Sequence, residues 1–291
     1  MKREDIQKKH EEDLQRIRNF RLLDDDFMSK VFEDKTCAEI LLRIILQRED
    51  LKVKYVHVQQ EIKNLQGRSI RLDILAEDTS GKLYNVEVQR SDKGASRKRA
   101  RHNSSLLDAN ITDAGEDYEK LNSTYVIFIT ENDILKSGLP IYHIDRTVKE
   151  TGESFEDGAH IIYVNSQIKN ETELGKLMHD FSCTNAEDMN YSVLADRVRY
   201  FKEDEKGVST MCKAMEDMRN EAHEEGRREG KIEGKIEGRI EGKREGRLEG
   251  RTAERRTHIR EMLLDHVPIE KIKQYTSATD EEILEIQREV Q

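Results

Sequence analysis

The stretch IRLDILAEDTSGKLYNVEVQ, residues 70–89, limits what this chain can fold into more than any other part of it. Apolar and polar side chains alternate in both halves, and a period of two predicts β-strands. Between the halves lies Thr79-Ser80-Gly81, where glycine supplies the left-handed backbone that three-residue hairpin turns favour. We therefore expect an antiparallel hairpin with strands over residues 70–77 and 83–89.

The turn also sets which side chains oppose each other. If residue 78 pairs with residue 82, Asp73 comes opposite Glu87. Opposed Cβ atoms lie about 4.5–5.5 Å apart, so the two carboxylates would meet on one face, and a slip of one residue would turn one of them away. Gln89 should share that face, because side chains two apart on a strand point the same way. The other face of the first strand should be formed by Ile70, Leu72, Ile74 and Ala76.

Carboxylates that converge from adjacent strands suggest a metal site. Carboxylate and amide oxygens on a rigid hairpin are hard ligands that suit Mg²⁺ or Mn²⁺, and either ion polarises a phosphodiester and supplies a nucleophilic water. The simpler alternative is that Asp73 and Glu87 lie on a solvated sheet face, which is the more common meaning of this spacing taken alone. The neighbouring residues have to decide between the two.

The residues that follow the hairpin are strongly basic. Positions 90–101 contain six basic residues and one acidic residue, in a chain of net charge −10. Residues 96–110 predict a helix, which would place Arg97 and Arg101 on one face. A basic run alone is usually a solvated helix face, but beside a metal site it provides what a phosphate backbone requires. The candidate nucleic-acid-binding residues are Arg90, Lys93, Arg97, Lys98 and Arg101.

Other segments predict an α/β domain around this hairpin, extending over residues 21–205. Residues 36–48 have the periodicity of a buried helix, with Thr36 as its N-cap. Further strands are expected at residues 51–58, 125–130 and 160–165, and further helices at residues 171–181 and 186–204.

Composition argues against several classes of protein. The net charge of −10 disfavours a general polyanion binder, although it allows a local basic patch. No apolar run approaches the roughly 18–20 residues that span a bilayer, and the N-terminus lacks a signal-peptide pattern, so we expect a cytoplasmic protein without membrane contact. Cys37, Cys183 and Cys212 are far apart, which disfavours disulfides and zinc sites. The chain has no phosphate-loop motif, and we expect no small-molecule cofactor.

A Glu-Gly repeat with a period of four residues runs from residue 225 to residue 250. Each glycine costs a helix about 1 kcal/mol relative to alanine, and side chains of like charge meet four residues apart, so an isolated helix would be marginal. We expect a long helix that self-association into a homo-oligomer steadies, and a flexible charged linker is the alternative. The stripe available for pairing consists of Ile232, Ile236, Ile240 and Leu248.

The expected organisation separates the α/β domain from a helical tail. Residues 258–290 predict a helix, a short helix and a third helix capped by Thr279 or Asp280, either a loose helix-turn-helix or a small dimerisation or docking bundle. The regions are an N-terminal helical arm (1–20), the α/β domain (21–205), a linker helix (206–222), the Glu-Gly repeat (223–251) and a C-terminal helical segment (252–291).

The hairpin motif D-I-L-A-E-D-x-x-G-K-x-Y-N-V-E-V-Q resembles the core of the PD-(D/E)XK nucleases, in their branch of recombination-promoting nucleases and transposases. The resemblance covers about residues 21–205 and implies a restriction-endonuclease-like α/β fold, a mixed sheet flanked by helices, followed here by the long charged helical tail. The other stretches that carry it are LLDDDFMSKVF (22–32), ASRKRARHNSSLLD (95–108), YVIFITENDI (125–134), IYHIDR (141–146) and DGAHIIYVN (157–165).

The resemblance implies that Asp73 and Glu87 hold Mg²⁺, with Mn²⁺ able to substitute, and that DNA is the substrate. Gln89 stands where most of the superfamily has lysine, and it offers a dipole and hydrogen bonds in place of a positive charge. Because this branch commonly has E-x-Q, Gln89 is the expected third catalytic residue, which orients the attacking water. The superfamily often adds a glutamate from an upstream helix, and Glu39 is the best positioned candidate, although it would equally suit the surface of a core helix.

The implied activity is that of a Mg²⁺-dependent endodeoxyribonuclease that hydrolyses phosphodiesters with water, in transposition-like DNA recombination or in defence against foreign DNA. One alternative is a catalytically inactive nuclease-fold module that binds nucleic acid or a protein partner. Another is a structural oligomer formed by the tail, with a vestigial hairpin.

Overall fold

The computed structural model of the chain describes residues 3–64, 69–111, 115 and 117–290, and for residues 3–9, 92, 93 and 225 it describes the backbone alone. The chain divides into two compact units, Met1–Met218 and Arg219–Gln291. The first unit contains the predicted hairpin, and the second contains the Glu-Gly repeat.

A mixed sheet organises the first unit. In the described residues its strands are β1 (Val53–Ile62), β2 (Ile70–Asp78), β3 (Leu83–Gln89), β4 (Thr124–Thr130), β5 (Ile141–Ile144) and β6 (Ala159–Asn165). Their order across the sheet is β1-β2-β3-β4-β6-β5, with β4 parallel to β3 and β6 and the other neighbours antiparallel. This confirms the expected mixed sheet.

Helices cover both faces of the sheet. The larger apolar core, which includes Phe27, Leu41 and Leu194, packs most of the helices on one face. The smaller core, which includes Ala100 and Leu107, packs a single helix against the other face within the described residues. The helices are α1 (Arg3–Asn19), α2 (Asp25–Phe32), α3 (Lys35–Leu46), α4 (Arg97–Ile111), α5 (Glu173–Ser182) and α6 (Ser192–Glu203), and α4 is the one on the second face.

Asp78 closes the β2–β3 hairpin. Its Oδ1 accepts hydrogen bonds from Ser80 N at 2.8 Å, Ser80 Oγ at 2.7 Å and Lys82 N at 3.0 Å, and its Oδ2 accepts one from the Tyr84 hydroxyl at 2.7 Å. Burial opposes the charge of Asp78, but these bonds outweigh it and hold the pKa of the carboxyl below its ordinary value. Gly81 has a φ of 85°, the left-handed conformation predicted for this turn.

The register of the hairpin is the predicted one. Ile74 pairs with Val86 and Leu75 pairs with Asn85. The ladder of paired residues ends at Ile74 and Val86, and beyond it Val88 N donates a hydrogen bond to Asp73 Oδ2 at 3.0 Å, which holds Asp73 beside this part of β3. The side chains of Tyr84, Val86 and Val88 enter the larger core, as expected for the apolar face of β3.

One face of β2 differs from the expectation. Leu72 packs in the smaller core beside α4, whereas Ile74, two residues on, packs in the larger core. The alternation is interrupted at Asp73, opposite Gln59 of β1, whose φ of 53° is left-handed and locally rotates the strand pair. The prediction of a single face was therefore wrong for the set Ile70, Leu72, Ile74 and Ala76.

Asp34, rather than Thr36, caps α3. Its carboxylate accepts hydrogen bonds from Thr36 N at 2.8 Å and Cys37 N at 3.2 Å. These are backbone amides of the first helical turn, which have no partner within the helix, so Asp34 is the N-cap. Cys37 is buried in the core, as predicted for this apolar helix.

The second unit is helical throughout its described elements. Helix α7 (Glu205–Leu264) begins in the first unit and contains the whole repeat, and it is followed by α8 (Ile269–Thr276) and α9 (Asp280–Val290). Ile259, Ile272 and Ile286 form a small core between the end of α7 and the two short helices. No helix among the described residues is long and apolar enough to cross a membrane.

A reciprocal pair of hydrogen bonds starts α9. Thr279 Oγ1 accepts from Glu282 N at 3.3 Å, and Glu282 Oε2 accepts from Thr279 N at 3.0 Å. This capping box confirms Thr279 as the cap of the last helix.

We predict that Asp78→Ala lowers the free energy of unfolding by about 3 kcal/mol, because it removes the acceptor of the turn amides and leaves the buried Tyr84 hydroxyl without this acceptor. Urea unfolding followed by circular dichroism measures the loss. Asp50→Ala is the matched control, since the exposed Asp50 contacts only Arg48 among its described ion-pair partners, and it should change stability little. Equal stability of the two variants would show that Asp78 does not hold the hairpin.

Candidate active site

Asp73 and Glu87 form a buried carboxylate pair on the α4 side of the sheet. Asp73 is 6% exposed and Glu87 is fully buried. Asp73 Oδ2 accepts a hydrogen bond from Val88 N at 3.0 Å, which orients the carboxylate towards β3. Burial, together with the charges of Glu87 and Asp25, raises the pKa of Asp73 to about 8, and burial also raises the pKa of Glu87.

Arg99, from the first turn of α4, partly neutralises this pair. Its Nη2 donates to Glu87 Oε2 at 2.7 Å. The other carboxylate oxygen, Glu87 Oε1, is buried and has no hydrogen-bond partner among the described residues. Asn85 lies beside Glu87, and its amide favours the charged form of Glu87, although no hydrogen bond of regular geometry joins the two among the described residues. Glu87 therefore keeps one oxygen able to bind a ligand.

Asp25 is a third carboxylate that sequence reasoning missed. It lies in the first turn of α2, and its charge acts on Asp73. Partial burial and the neighbouring Asp26 raise the pKa of Asp25, while Arg71 and Arg99 oppose this rise. The signal available in the sequence was the acidic run Asp24-Asp25-Asp26 directly before an apolar helix.

The donor set fits a hard divalent cation. Asp73 and Glu87 supply carboxylate oxygens from neighbouring strands, and like charges brought together under burial are costly unless a cation or a proton joins them. Asp25 acts on Asp73 through its charge, but the three side chains do not bring ligand atoms within 4.8 Å of one another. Glu87 Oε1 has no hydrogen-bond partner among the described residues, so it lacks a partner that a bound cation would supply. Mg²⁺ and Mn²⁺ prefer such oxygen ligands.

Gln89 packs closely against the turn that leads into α4. A Cβ atom at Gly94 would lie 1.8 Å from Gln89 Oε1, so only glycine leaves room for this amide. Gln89 follows Glu87 by two residues on β3, as the sequence predicted, and the turn at Asp92–Ala95 fixes where its side chain lies.

Glu39 has a structural position. Its carboxylate pairs with Arg43 at 2.6 Å and accepts a hydrogen bond from Val53 N at 2.9 Å, which ties α3 to the start of β1. Since the charge that acts on Asp73 from upstream belongs to Asp25, the candidate for an upstream acidic residue moves from Glu39 to Asp25.

The predicted basic residues occupy different places. Arg90 Nη1 pairs with Asp24 Oδ1 at 2.9 Å, and Arg90 Nε lies 3.5 Å from Glu131 Oε2, so its charge is shared with acids. The side chain of Lys93 lies outside the described residues. Arg97 and Arg101 are exposed on α4, and the charge of Arg97 acts on Tyr163.

Lys98 and Arg99 instead border a pocket of about 600 Å³ between α4 and the start of β2, which we call the α4 pocket. Arg71, His102 and Asn103 also line it, and no acidic residue does so in the described part of the chain. Because Arg99 also contacts Glu87, the α4 pocket adjoins the carboxylate pair. The sequence did not reveal this arrangement, since Arg71 lies far from the basic run.

A second group of metal-binding atom types lies elsewhere, in and just after α5. Ligand atoms of His179, Asp180 and Cys183 lie within 4.8 Å of one another. Asp180 already accepts hydrogen bonds from Asn190 N at 2.8 Å and Tyr191 N at 2.9 Å, and burial raises the pKa of Cys183 to about 11, which keeps the thiol neutral. As it stands, this group stabilises the loop before α6.

Residues 29–225 match the model of a family described as PD-(D/E)XK nuclease family transposase. The match spans more than half of the chain and includes Asp73, Glu87, Gln89 and α4, whereas Asp25 lies just before it. No curated protein and no solved structure matches the chain.

We predict that metal-free protein loses stability as the pH rises towards 8, and that Asp73→Asn removes this loss. The folded-state pKa of Asp73, about 8, lies above its ordinary value of 3.8, so its contribution to stability is fully present below 3.8 and is lost as the pH rises through 8. At pH values near 8, Asp73→Asn should therefore melt at a higher temperature than the wild type in EDTA.

Thermal melting with and without Mn²⁺ tests whether Asp73 binds the cation. Mn²⁺ should raise the melting temperature of the wild type and leave that of Asp73→Asn unchanged. Glu77→Gln, on the same strand but paired with the exposed Lys54, is the control and should behave as the wild type. An equal response of Asp73→Asn to Mn²⁺ would place the ion elsewhere.

Proposed function

The chain belongs to the PD-(D/E)XK nuclease family of transposases, and from that premise we propose that it is a metal-dependent DNA endonuclease that hydrolyses phosphodiester bonds. The observation that carries the proposal is the buried pair of Asp73 and Glu87, with an unpartnered oxygen, beside a basic pocket. A pair that only stabilised the fold would be expected to satisfy its oxygens.

In the proposed reaction, Asp73 and Glu87 would hold the cation, and the charge of Asp25 acts on Asp73 at the same site. A bound Mg²⁺, or Mn²⁺ in its place, supplies Lewis-acid stabilisation of the phosphate charge and makes water more acidic. Gln89 accepts a hydrogen bond from the attacking water and so orients it, without offering the positive charge that a lysine would. The water oxygen would bond to phosphorus as one P–O ester bond breaks, with no covalent enzyme intermediate. The proton lost by the water passes to solvent, and the leaving sugar oxygen takes up a proton from solvent.

The basic residues bind the DNA backbone in this proposal. Lys98 and Arg71 border the α4 pocket, and Arg97 and Arg101 extend the basic surface along α4. Lysine and arginine contacts to phosphate position the duplex or strand without reading its sequence. Arg90 is already paired with Asp24 and Glu131, so we expect it to contribute least.

The alternative function is a catalytically inactive module that binds nucleic acid or a protein partner. Its specific support is the ion pair of Arg99 with Glu87, which occupies one ligand oxygen, combined with the absence of a charged group at position 89. In that case the basic surface of α4 would still bind nucleic acid. Hydrolysis decides between the two functions.

We also propose that the protein is cytoplasmic and forms homo-oligomers through α7. Ile232, Ile236, Ile240 and Leu248 are between 53% and 65% exposed, which is unusual for a regular stripe of aliphatic side chains. Cβ atoms added to the glycines of the repeat would meet nothing within 4 Å, so a second helix has room to approach. Such an assembly would pair the nuclease units of two copies.

We predict that the purified protein nicks or linearises plasmid DNA with Mg²⁺ or Mn²⁺ and not with EDTA. Asp73→Ala and Glu87→Ala should each lower the rate by at least about a hundredfold, since each removes a preorganised charge from the site. Glu77→Ala, on the same hairpin, should cut at the wild-type rate. Gel electrophoresis of time points measures all four proteins.

Two results of this experiment would change the proposal. If Asp73→Ala cuts as fast as the wild type, the proposed site is wrong. If the wild type only shifts DNA in a gel, the inactive binding module is the correct function.

We predict that the double variant Ile236→Gln, Ile240→Gln sediments as a monomer, while the wild type sediments as an oligomer. The change removes the apolar stripe at the middle of the repeat while keeping side-chain length. Glu237→Gln with Glu241→Gln is the matched control on the adjacent stripe and should leave the oligomer intact. A monomeric wild type over the whole concentration range would contradict self-association.

A further inference from the structure

The α4 pocket is lined by a buried side chain that no described residue satisfies. Asn103 is 1% exposed, and neither its amide nitrogen nor its amide oxygen has a hydrogen-bond partner among the described residues. Its neighbours on α4 are packed in the smaller core, so the amide has been withdrawn from water. A buried amide left unpaired destabilises a protein, which indicates that a ligand pairs it.

The chemistry of Asn103 limits what that ligand can be. The amide has a donor group and an acceptor oxygen, and a phosphate can satisfy only the donor. The edge of a nucleobase offers a donor and an acceptor side by side, as when asparagine pairs with adenine. An inorganic or backbone phosphate would leave Asn103 half satisfied, whereas a base would complete it.

The rest of the pocket suits the phosphate and sugar of the same nucleotide. Lys98 is exposed at its border, and Arg71 and Arg99 also line it, so a single phosphate would meet several cations. A volume of about 600 Å³ is ample for one nucleotide. Asn103 is buried and Lys98 is exposed, so the base would bind at the buried part of the lining and the phosphate at the exposed part.

A stacked base pair cannot bring a base edge to a buried amide on α4. The base has to leave the stack, or to come from a strand that is already single. We propose that the α4 pocket binds one unstacked nucleotide of the DNA substrate, with Asn103 reading the edge of its base and Lys98 binding its phosphate. The proposal rests on the proposed function in taking DNA as the ligand, but the binding step does not require hydrolysis.

Arg99 places this nucleotide next to the cleavage position. The same side chain contacts Glu87 at 2.7 Å and lines the α4 pocket. A nucleotide in the pocket would therefore be adjacent to the phosphate that a cation at Asp73 and Glu87 would bind. The protein then prefers single-stranded or locally unpaired DNA and has a base preference beside the cut.

Fluorescence anisotropy tests the binding in EDTA, where no cleavage occurs. The probes are fluorescein-labelled homopolymers of deoxyadenosine, deoxycytidine and thymidine, a homopolymer of abasic deoxyribose phosphate, and a duplex of the same length. The wild type should bind the homopolymer of the preferred base more tightly than the duplex and the abasic strand. Its affinity for that homopolymer should exceed its affinity for the homopolymer of the least favoured base by roughly fivefold or more. Lys98→Ala should weaken binding to all strands to a similar degree, whereas the exposed Lys149→Ala should not.

Asn103→Leu, which keeps the branched four-atom side chain and removes the amide, should abolish the discrimination between bases. Circular dichroism checks that this variant is folded, and the abasic strand tests the same point without any substitution. The proposal is overturned if the wild type binds the abasic strand as tightly as the preferred base homopolymer, or if folded Asn103→Leu keeps the same ranking of bases.

Mapping of cut ends by sequencing separates this proposal from the nuclease function. Cleavage with no base preference beside the cut would leave the nuclease standing and remove the pocket. Base-selective binding without cleavage would support the pocket and favour the inactive binding module.

Discussion

The carboxylate of Asp78 is the constraint on which the site depends. By accepting bonds from Ser80, Lys82 and Tyr84, it closes the hairpin at one register and no other. Strand pairing carries that register to Ile74 and Val86, and the next residues bring Asp73 close enough to Glu87 for their charges to interact. A slip of one residue would turn one of these carboxylates to the other face of the sheet, into the larger core.

Electrostatics gives the site its character. Asp73 and Glu87 lie together under burial, which raises both pKa values, and Arg99 offsets this only in part. Without a cation, a site of this kind is stabilised by taking up a proton, and a bound cation would replace that proton. Asn103, further along α4, is a neutral example: its buried amide has no hydrogen-bond partner among the described residues, and a bound ligand would supply one.

Local pattern was enough to predict the hairpin, because alternation, a glycine and a short turn are properties of adjacent residues. It did not predict α2, whose eight residues are too few to show a clear period, and it therefore missed Asp25. It also selected Glu39, whose carboxylate is used by Arg43 and Val53. Arg99, the partner of Glu87 on α4, belongs to the basic run. The sequence selected Arg97 and Arg101 instead, because residues four apart lie on one face of a helix.

By itself, the sequence determined the fold family, the hairpin register and the pairing of Asp73 with Glu87, since these follow from short-range periodicity and turn chemistry. Only the tertiary structure decided which helix brings its charges to that pair. Arg71, Arg99 and Asn103 meet because β2 and α4 pack across one face of the sheet, and such contacts between distant segments leave no periodic trace in the chain. The interruption at Asp73 is of the same kind, because it depends on the backbone of Gln59 in the neighbouring strand.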